Sequence, residues 1–281
     1  MVWRDVIAKT GAYLAAKGVD APAAAAELLA ARLLKTGRGL LGNFAGREAD
    51  ERQLEAMRRA MTRLVAGEPV QYVLGEWDFR ELTLKCDRRA LIPRPETEGL
   101  VTRVLAGLKS GDVVIDVGTG TGAIILSLAR EAKTPGVFIG SDVSEDALGL
   151  AKENAARLGL ADKVKLLAMD GLDEFDEPQV FDVIVSNPPY VKTAVCDTLD
   201  RSVRDFEPRL ALDGGPEGLD FYDRYLADAL NLLKPGGRVY FEIGEDQGDA
   251  VRTLMEDYGF GRIAIERDLA GLDRYASATL D

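Results

Sequence analysis

Strands and helices alternate from about residue 99 to the end of the chain, and this alternation limits the fold more than any other feature. Short apolar runs suited to buried strands fall at 112–117, 137–142, 163–168, 181–186, 237–243, 261–266 and 274–280. Helical segments fall between them near 122–132, 144–158, 218–233 and 246–258. Strands joined through helices pair in parallel and are covered on both faces, so each reads as nearly continuous hydrophobicity. The expected fold class is therefore α/β, with a seven-stranded and mostly parallel sheet. No helix separates 261–266 from 274–280, which predicts an antiparallel hairpin at one edge.

The first 66 residues lack that alternation and read as helical. Alanine and leucine dominate 21–34, with Asp20 as the expected N-cap and Pro22 in the first turn. Residues 50–65 place Leu54, Met57, Met61 and Leu64 at helical spacing, so both methionines are expected in a core. Gly37, Gly39, Gly42 and Gly46 punctuate the stretch between these helices. Residues 70–92 alternate apolar and polar about Gly75, which predicts a β-hairpin. The segment Pro93-Arg94-Pro95-Glu96-Thr97-Glu98 then leads rigidly into a helix. The expected organisation is a helical domain at 1–68, a hairpin linker at 69–98 and a catalytic domain at 99–281.

Composition narrows the chemistry. The chain has no histidine, so a Ser-His-Asp triad, a Cys-His dyad and any His-ligated metal are excluded. Cys86 and Cys196 stand far apart in no metal-like spacing and are expected as free thiols of a reducing compartment, with no metal site. Residues 1–80 hold 12 basic and 10 acidic side chains; the remainder holds 23 and 37, out of a net charge of −12. So acidic a catalytic part argues against stable nucleic-acid binding, which depends on neutralising phosphates. No apolar run is long enough for a membrane span. Arg4, Asp5 and Lys9 break the apolar stretch a signal peptide needs, and a cytoplasmic location is expected.

The first sharp motif is DVVIDVGTGTGAIILSLA at 112–129. A buried strand runs into Gly118-Thr119-Gly120-Thr121-Gly122 and then into an apolar helix. Glycines here let the chain turn tightly and let a ligand approach main-chain amides, although a purely structural turn has the same composition. Asp142 ends the next strand, where a carboxylate can accept two hydrogen bonds from ribose hydroxyls. The alternative of capping the following helix is better met by Ser144. Asp170 follows the third strand and either accepts from an adenine amino group or caps its loop, with Gly171 and Leu172 beside the base. Asp116 either meets a ligand amino group or braces the glycine turn. NAD and S-adenosylmethionine both suit such a site. The G-x-G-x-G spacing and the lack of a hydride-transfer site favour S-adenosylmethionine, with S-adenosylhomocysteine as product.

The strongest motif is FDVIVSNPPYV at 181–191. Two prolines cannot continue a central strand, so Asn187-Pro188-Pro189-Tyr190 forms a stiff corner with its carbonyls free. The Asn187 side-chain oxygen and the Pro188 carbonyl can each accept one N–H of a planar NH2 group. Tyr190 can stack on the flat amide or base, contributing roughly 1–3 kcal/mol if it behaves as base–aromatic stacking does. A sulfonium methyl is already activated, so alignment alone can supply on the order of 7–11 kcal/mol. The long connection 192–219 is expected to form a flap, shaped by Glu207, Pro208 and Arg209, or else a solvated loop.

These segments together resemble the HemK/PrmC-type protein-glutamine N5-methyltransferases, which modify the glutamine of the Gly-Gly-Gln loop in class-1 peptide chain release factors. The resemblance runs through GEPVQYVLGEWDF (67–79), LIPRPETE (91–98), DVGTGTGAI (116–124), SNPPY (186–190), EPRLALDGGPEGLDFY (207–222) and DLAGLDRY (268–275). Asn-Pro-Pro-Tyr is shared with adenine amino methyltransferases, whereas LIPRPETE and EPRLALDGGPEGLDFY are more specific. The resemblance implies a Rossmann-like, seven-stranded class I methyltransferase domain joined by a β-hairpin to a small helical domain that docks the release factor. It implies that Gly118 to Gly122, Asp142, Asp170, Gly171 and Asn187 hold S-adenosylmethionine, and that Asn187, Pro188, Pro189 and Tyr190 hold the glutamine amide. Relatives often carry an aromatic residue just after the position of Asp170, where Gly171 and Leu172 stand here. Glu96 and Glu98 either approach the cofactor or compensate a helix N-terminus. The runner-up reading is a nucleic-acid amino methyltransferase acting on a flipped base. A third is a degenerate methyltransferase fold that only binds.

Overall fold

The structure, a computed structural model, describes Met1–Asp281 and contains two compact units. The first comprises Met1–Glu76 with Asp200–Phe206, and the second Trp77–Leu199 with Glu207–Asp281.

The first unit is built on α1 (Trp3–Ala16), α2 (Pro22–Leu34), a 3-10 turn at Arg38–Phe44, α3 (Glu51–Val65) and α4 (Val70–Leu74). Trp3, Val6, Thr10 and Leu14 form the buried stripe of α1, at the spacing that puts side chains on one face. Met57 is fully buried in the same core and Met61 half-buried against it, where its sulfur accepts a hydrogen bond from Thr10 Oγ1. Asp50 and Gln53 form a reciprocal capping box at the start of α3. Asp20 does not cap α2. The N-cap is Ala21, in the left-handed region at φ 44°, and Pro22 is the first helical residue, where its fixed φ and missing N–H are suited to the first turn. Residues 70–74 are also not a strand. Val70, Val73 and Leu74 pack at helical spacing into the helical core, and Gly75 ends the turn at φ 76°. In so short a run, apolar residues at 70, 72 and 74 also fit the two-residue strand period, so periodicity does not separate the two.

The second unit opens with the hairpin β1 (Glu76–Phe79) and β2 (Leu82–Lys85), followed by α5 (Thr97–Gly107). It continues as β3 (Val113–Val117), α6 (Ala123–Glu131), β4 (Val137–Asp142), α7 (Glu145–Arg157), β5 (Val164–Ala168) and β6 (Phe181–Ser186). The connection after β6 carries α8 (Thr193–Cys196) and a 3-10 turn at Arg209–Ala211, and the α9 (Arg201–Arg204) between them in sequence belongs to the first unit. The chain ends with α10 (Asp220–Leu232), β7 (Leu233–Glu242), α11 (Gly248–Asp257), β8 (Gly261–Arg267) and β9 (Asp273–Thr279).

The sheet order is β5-β4-β3-β6-β7-β9-β8, with β9 antiparallel to both of its neighbours and the other pairs parallel. The seven-stranded, mostly parallel sheet and its antiparallel edge hairpin are as expected, with β9 tucked inside β8. Val114 packs with α5 and α6 on one face, and Ile115 and Val117 with α10 and α11 on the other. The strand order reverses between β3 and β6. At that point the strands' carboxyl ends splay apart and leave a crevice for a ligand. Val117 pairs with Ser141 and Asp116 with Val185, so the glycine turn, Asp142 and Asn187 all emerge at one edge of the sheet.

Candidate active site

A cavity of about 310 Å³ lies at this switch point. Its floor is the glycine turn. Gly118, Gly120 and Gly122 have φ of 73°, 57° and 82°, a region that side chains avoid. No heavy atom lies within 4 Å of where a Gly118 side chain would begin, so the turn leaves open space above its backbone. Asp116 braces the turn from below and is absent from the cavity wall. It is fully buried, and the Thr119 hydroxyl donates to its Oδ2 at 2.6 Å. Burial pushes its carboxyl up to about 7, only partly countered by the Thr119 hydroxyl and the Ile125 amide. Ser186 ties β6 to β3 by donating to the Val117 carbonyl at 2.6 Å, immediately ahead of Asn187 and Gly118.

Asp142 sits at the end of β4 on the cavity wall. Its Oδ2 accepts from the Gly120 amide at 2.8 Å and its Oδ1 from the Ser144 amide at 2.9 Å. Each carboxylate oxygen has a second lone pair, so both bonds leave capacity for a ligand diol. Burial raises its proton affinity, and the two amides oppose that rise. Ser144, not Asp142, caps α7 by accepting from the Ala147 amide.

Asp170 and Gly171 line the cavity, where Arg224 of α10 holds Asp170. The Arg224 guanidinium donates to Asp170 Oδ1 at 2.7 Å, to the Asp170 carbonyl at 2.8 Å and to Asp173 at 2.7 Å. A side chain at Gly171 would begin 3.1 Å from that guanidinium, so the glycine makes room for it. Leu172 is buried in the core and not on the wall. The wall's aromatic surface comes instead from Phe221 and Tyr225 of α10, 5.9 Å apart, and from no residue next to Asp170. Arg224, Phe221 and Tyr225 escaped the sequence reading because their partners lie on a different segment. The i, i+3, i+4 spacing on one amphipathic helix was their only signal.

Of the proline corner, Asn187 and Pro189 line the cavity, whereas Pro188 is buried and Tyr190 lies beside it. Asn187 Nδ2 donates to Thr97 Oγ1 at 3.2 Å, and the Thr97 hydroxyl donates to Glu242 Oε2 at 2.6 Å. The Tyr190 hydroxyl is 3.5 Å from Glu242 Oε1, and its carbonyl accepts from Gln247 Nε2. Burial pushes the Tyr190 phenol up to about 12 and the Glu242 carboxyl up to about 7. Glu96 and Glu98 do not reach the cavity; Thr97 between them does. The Glu96 carbonyl accepts from Tyr275, and Glu98 accepts from the Arg80 amide.

The connection 192–219 is pinned at both ends, by Val191 to Leu212 and Gly214 and by Thr193 to Gly215. Pro208, Leu210 and Ala211 form part of the cavity wall. Glu207 is buried and accepts from the Ile92 amide at 3.0 Å and from Arg94 at 2.6 Å, which fastens this wall to the segment 92–94. Arg209 turns away to Asp197 and Asp213.

A reversed parallel sheet, a glycine turn over open space and a carboxylate at the end of the neighbouring strand make a nucleoside site, and with the match of residues 108–258 to a methyltransferase domain they place the chain among the S-adenosylmethionine-dependent methyltransferases. Residues 108–258 match the family described as "Methyltransferase domain", and residues 5–75 match "PrmC N-terminal domain". The chain belongs to the release factor glutamine methyltransferase family. It is 40% identical to the release factor glutamine methyltransferase of Moorella thermoacetica, over 98% of this chain and 97% of that one. It is 37% identical to that of Chlorobaculum tepidum, over 97% and 96%. Among solved structures, a methyltransferase from Pyrococcus furiosus superimposes with a TM-score of 0.52 at 19% identity, covering 71% of this chain and 88% of that one. An O-methyltransferase from Thermotoga maritima gives 0.50 at 20% identity, covering 68% and 66%. These two share the fold of the second unit's sheet. No helix is long and apolar enough to cross a membrane.

Proposed function

We propose that this protein transfers a methyl group from S-adenosylmethionine to the side-chain amide nitrogen (N5) of the glutamine in the Gly-Gly-Gln loop of class-1 peptide chain release factors. The observation that carries this reading is that Asn187 and Pro189 share one cavity with Asp142 and the glycine turn. Asp142 accepts from the ribose hydroxyls with the lone pairs its two amide bonds leave over. Gly118, Thr119, Gly120, Thr121 and Gly122 pass beneath the ligand's amino acid portion. Asp170, held by Arg224, and Gly171 lie at the adenine end, where Phe221 and Tyr225 offer an apolar wall.

When bound, S-adenosylmethionine supplies a methyl already activated on a sulfonium, so the protein's share is to align the nucleophile. Asn187 Oδ1 and the Pro188 carbonyl accept the two N–H groups of the glutamine amide and hold the nitrogen in place. Pro189 stiffens the corner, and Tyr190 bounds it with its ring. Asn187 thus lies between the two ligands. The proton lost from nitrogen leaves to water, which agrees with a chain that has no histidine. The N-terminal unit is assigned to docking the release factor, and the reaction to the cytoplasm, where Cys86 and Cys196 stay reduced. The 37 acidic against 23 basic side chains beyond residue 80 disfavour a stable complex with nucleic acid.

The test is mass spectrometry of the Gly-Gly-Gln peptide of a purified release factor after incubation with enzyme and cofactor, beside duplex DNA and ribosomes. A gain of one methyl on the glutamine is expected. Methylation of DNA alone would overturn the assignment.

A further inference from the structure

The polar chain behind Asn187 has a direction. Glu242 and Thr97 are 1% and 4% exposed, so neither exchanges its partner for water. A threonine hydroxyl has one proton to give. Ionised Glu242 can only accept, so the Thr97 proton goes to its Oε2, at 2.6 Å. What remains on Thr97 is lone pairs, and only the NH2 end of the Asn187 amide can use them, at 3.2 Å. The oxygen end of that amide is then turned to the cavity that Asn187 lines. Protonated Glu242 can instead donate to Thr97. The Thr97 hydroxyl is then free to donate to Asn187, and the amide presents NH2 where an acceptor is required.

We propose that Thr97 and Glu242 are positioning residues that set the polarity of Asn187, ionised Glu242 holding Oδ1 toward the substrate amide and protonated Glu242 releasing or reversing it. This rests on the reading of Asn187 as the acceptor for the target nitrogen.

The groups facing Glu242 come from each element packed around it. Glu96 and Thr97 lie at the start of α5, Tyr190 follows β6, and Arg274 and Tyr275 lie on β9. Tyr222 of α10 donates to the Glu242 carbonyl. Burial raises the carboxyl most; the Thr97 hydroxyl, Arg274 and Tyr190 favour ionisation, and Glu96 opposes it, which leaves it at about 7. Above that pH the relay points the productive way, and below it the relay is lost.

The experiment measures methylation of a purified release factor by the full-length enzyme between about pH 5.5 and 9 for wild type, T97V, T97S, E242Q and N187A. Cofactor Kd by calorimetry and Tm are followed in parallel. Wild-type kcat is expected to fall about tenfold per unit below pH 7. T97V should lower kcat at pH 8 by about tenfold or more, lose that acid limb, and keep its cofactor Kd within about threefold. T97S should stay within about threefold of wild type and keep the limb. E242Q should be flat across the limb at whatever level it works. An intact acid limb in T97V or in E242Q, or wild-type kcat in T97V, would overturn the relay even if N187A is inactive. An active N187A would instead overturn the reading of Asn187 beneath it. Should T97V fail to fold, the E242Q profile decides alone.

Discussion

Replacing Asp142 tests how the cofactor end of the site works. Its two oxygens accept from the Gly120 and Ser144 amides at 2.8 and 2.9 Å, so the carboxylate shapes the turn, and in the proposed complex it also accepts from the ligand. Two charge-assisted bonds to ribose, each at the lower end of about 1.5–3 kcal/mol because the group is only half-buried, sum to about 3 kcal/mol. That is on the order of 100-fold in Kd for D142A. D142N separates the two duties. Its amide keeps one oxygen, so its NH2 must confront either the Gly120 or the Ser144 amide, donor against donor. Its Kd should rise about tenfold or more despite the matched shape. Calorimetry with S-adenosylhomocysteine reads both variants, and kcat at saturating cofactor should stay within several-fold of wild type. A D142A Kd within about threefold of wild type would refute the ribose role.

Three further outcomes follow from the same geometry. G122A should lower Tm by more than G118A. Both force a side chain into the left-handed region at about 1–2 kcal/mol, but only the Gly122 side chain also begins 2.8 Å from Leu126; equal losses in thermal unfolding would count against the clash. E207A strands the Ile92 amide and Arg94 and should cost about 3 kcal/mol, seen as a Tm lower by about 6–12 °C. A Tm within about 2 °C of wild type would show that this buried carboxylate is dispensable. Asp116 holds its proton to about 7 when folded and to about 4 when unfolded. A raised carboxyl destabilises the fold as pH climbs through that window, since the folded form binds the extra proton. D116N lacks this loss, so its stability relative to wild type in denaturant titrations should be greater at pH 8 than at pH 5; an equal difference at both would refute the argument.

Much of the second unit was legible because its signals are local. Strand 181–186 and the proline corner after it follow from one apolar run and two residues that cannot continue a ladder. Ser144 caps α7 three residues from the amide it satisfies, and the glycine turn occupies five consecutive positions. Failures arose where two local rules competed. At 70–74 the apolar residues Val70, Tyr72, Val73 and Leu74, broken by Gln71, satisfied the strand and helix periods equally, and burial against the helical core decided for helix. At Asp20 the helix starts one residue later, with Pro22 in the first helical position, so the cap position falls to Ala21 rather than to the polar residue.

The sequence by itself determined the sheet-forming alternation, the turn that only glycine can make, the carboxylate that ends β4 and the corner that ends β6, since each depends on residues within a few positions of one another. Only the tertiary structure decided that Thr97 meets Glu242 across 145 residues, that Glu207 meets Ile92 across 115, and that Arg224 meets Asp170 across 54. Such pairs leave no periodic trace, because a buried polar group demands a partner of matching chemistry but places no condition on where in the chain that partner stands. Packing of the helices onto the sheet brings the partners together, and with them comes the contact that holds Asn187 on the cavity wall.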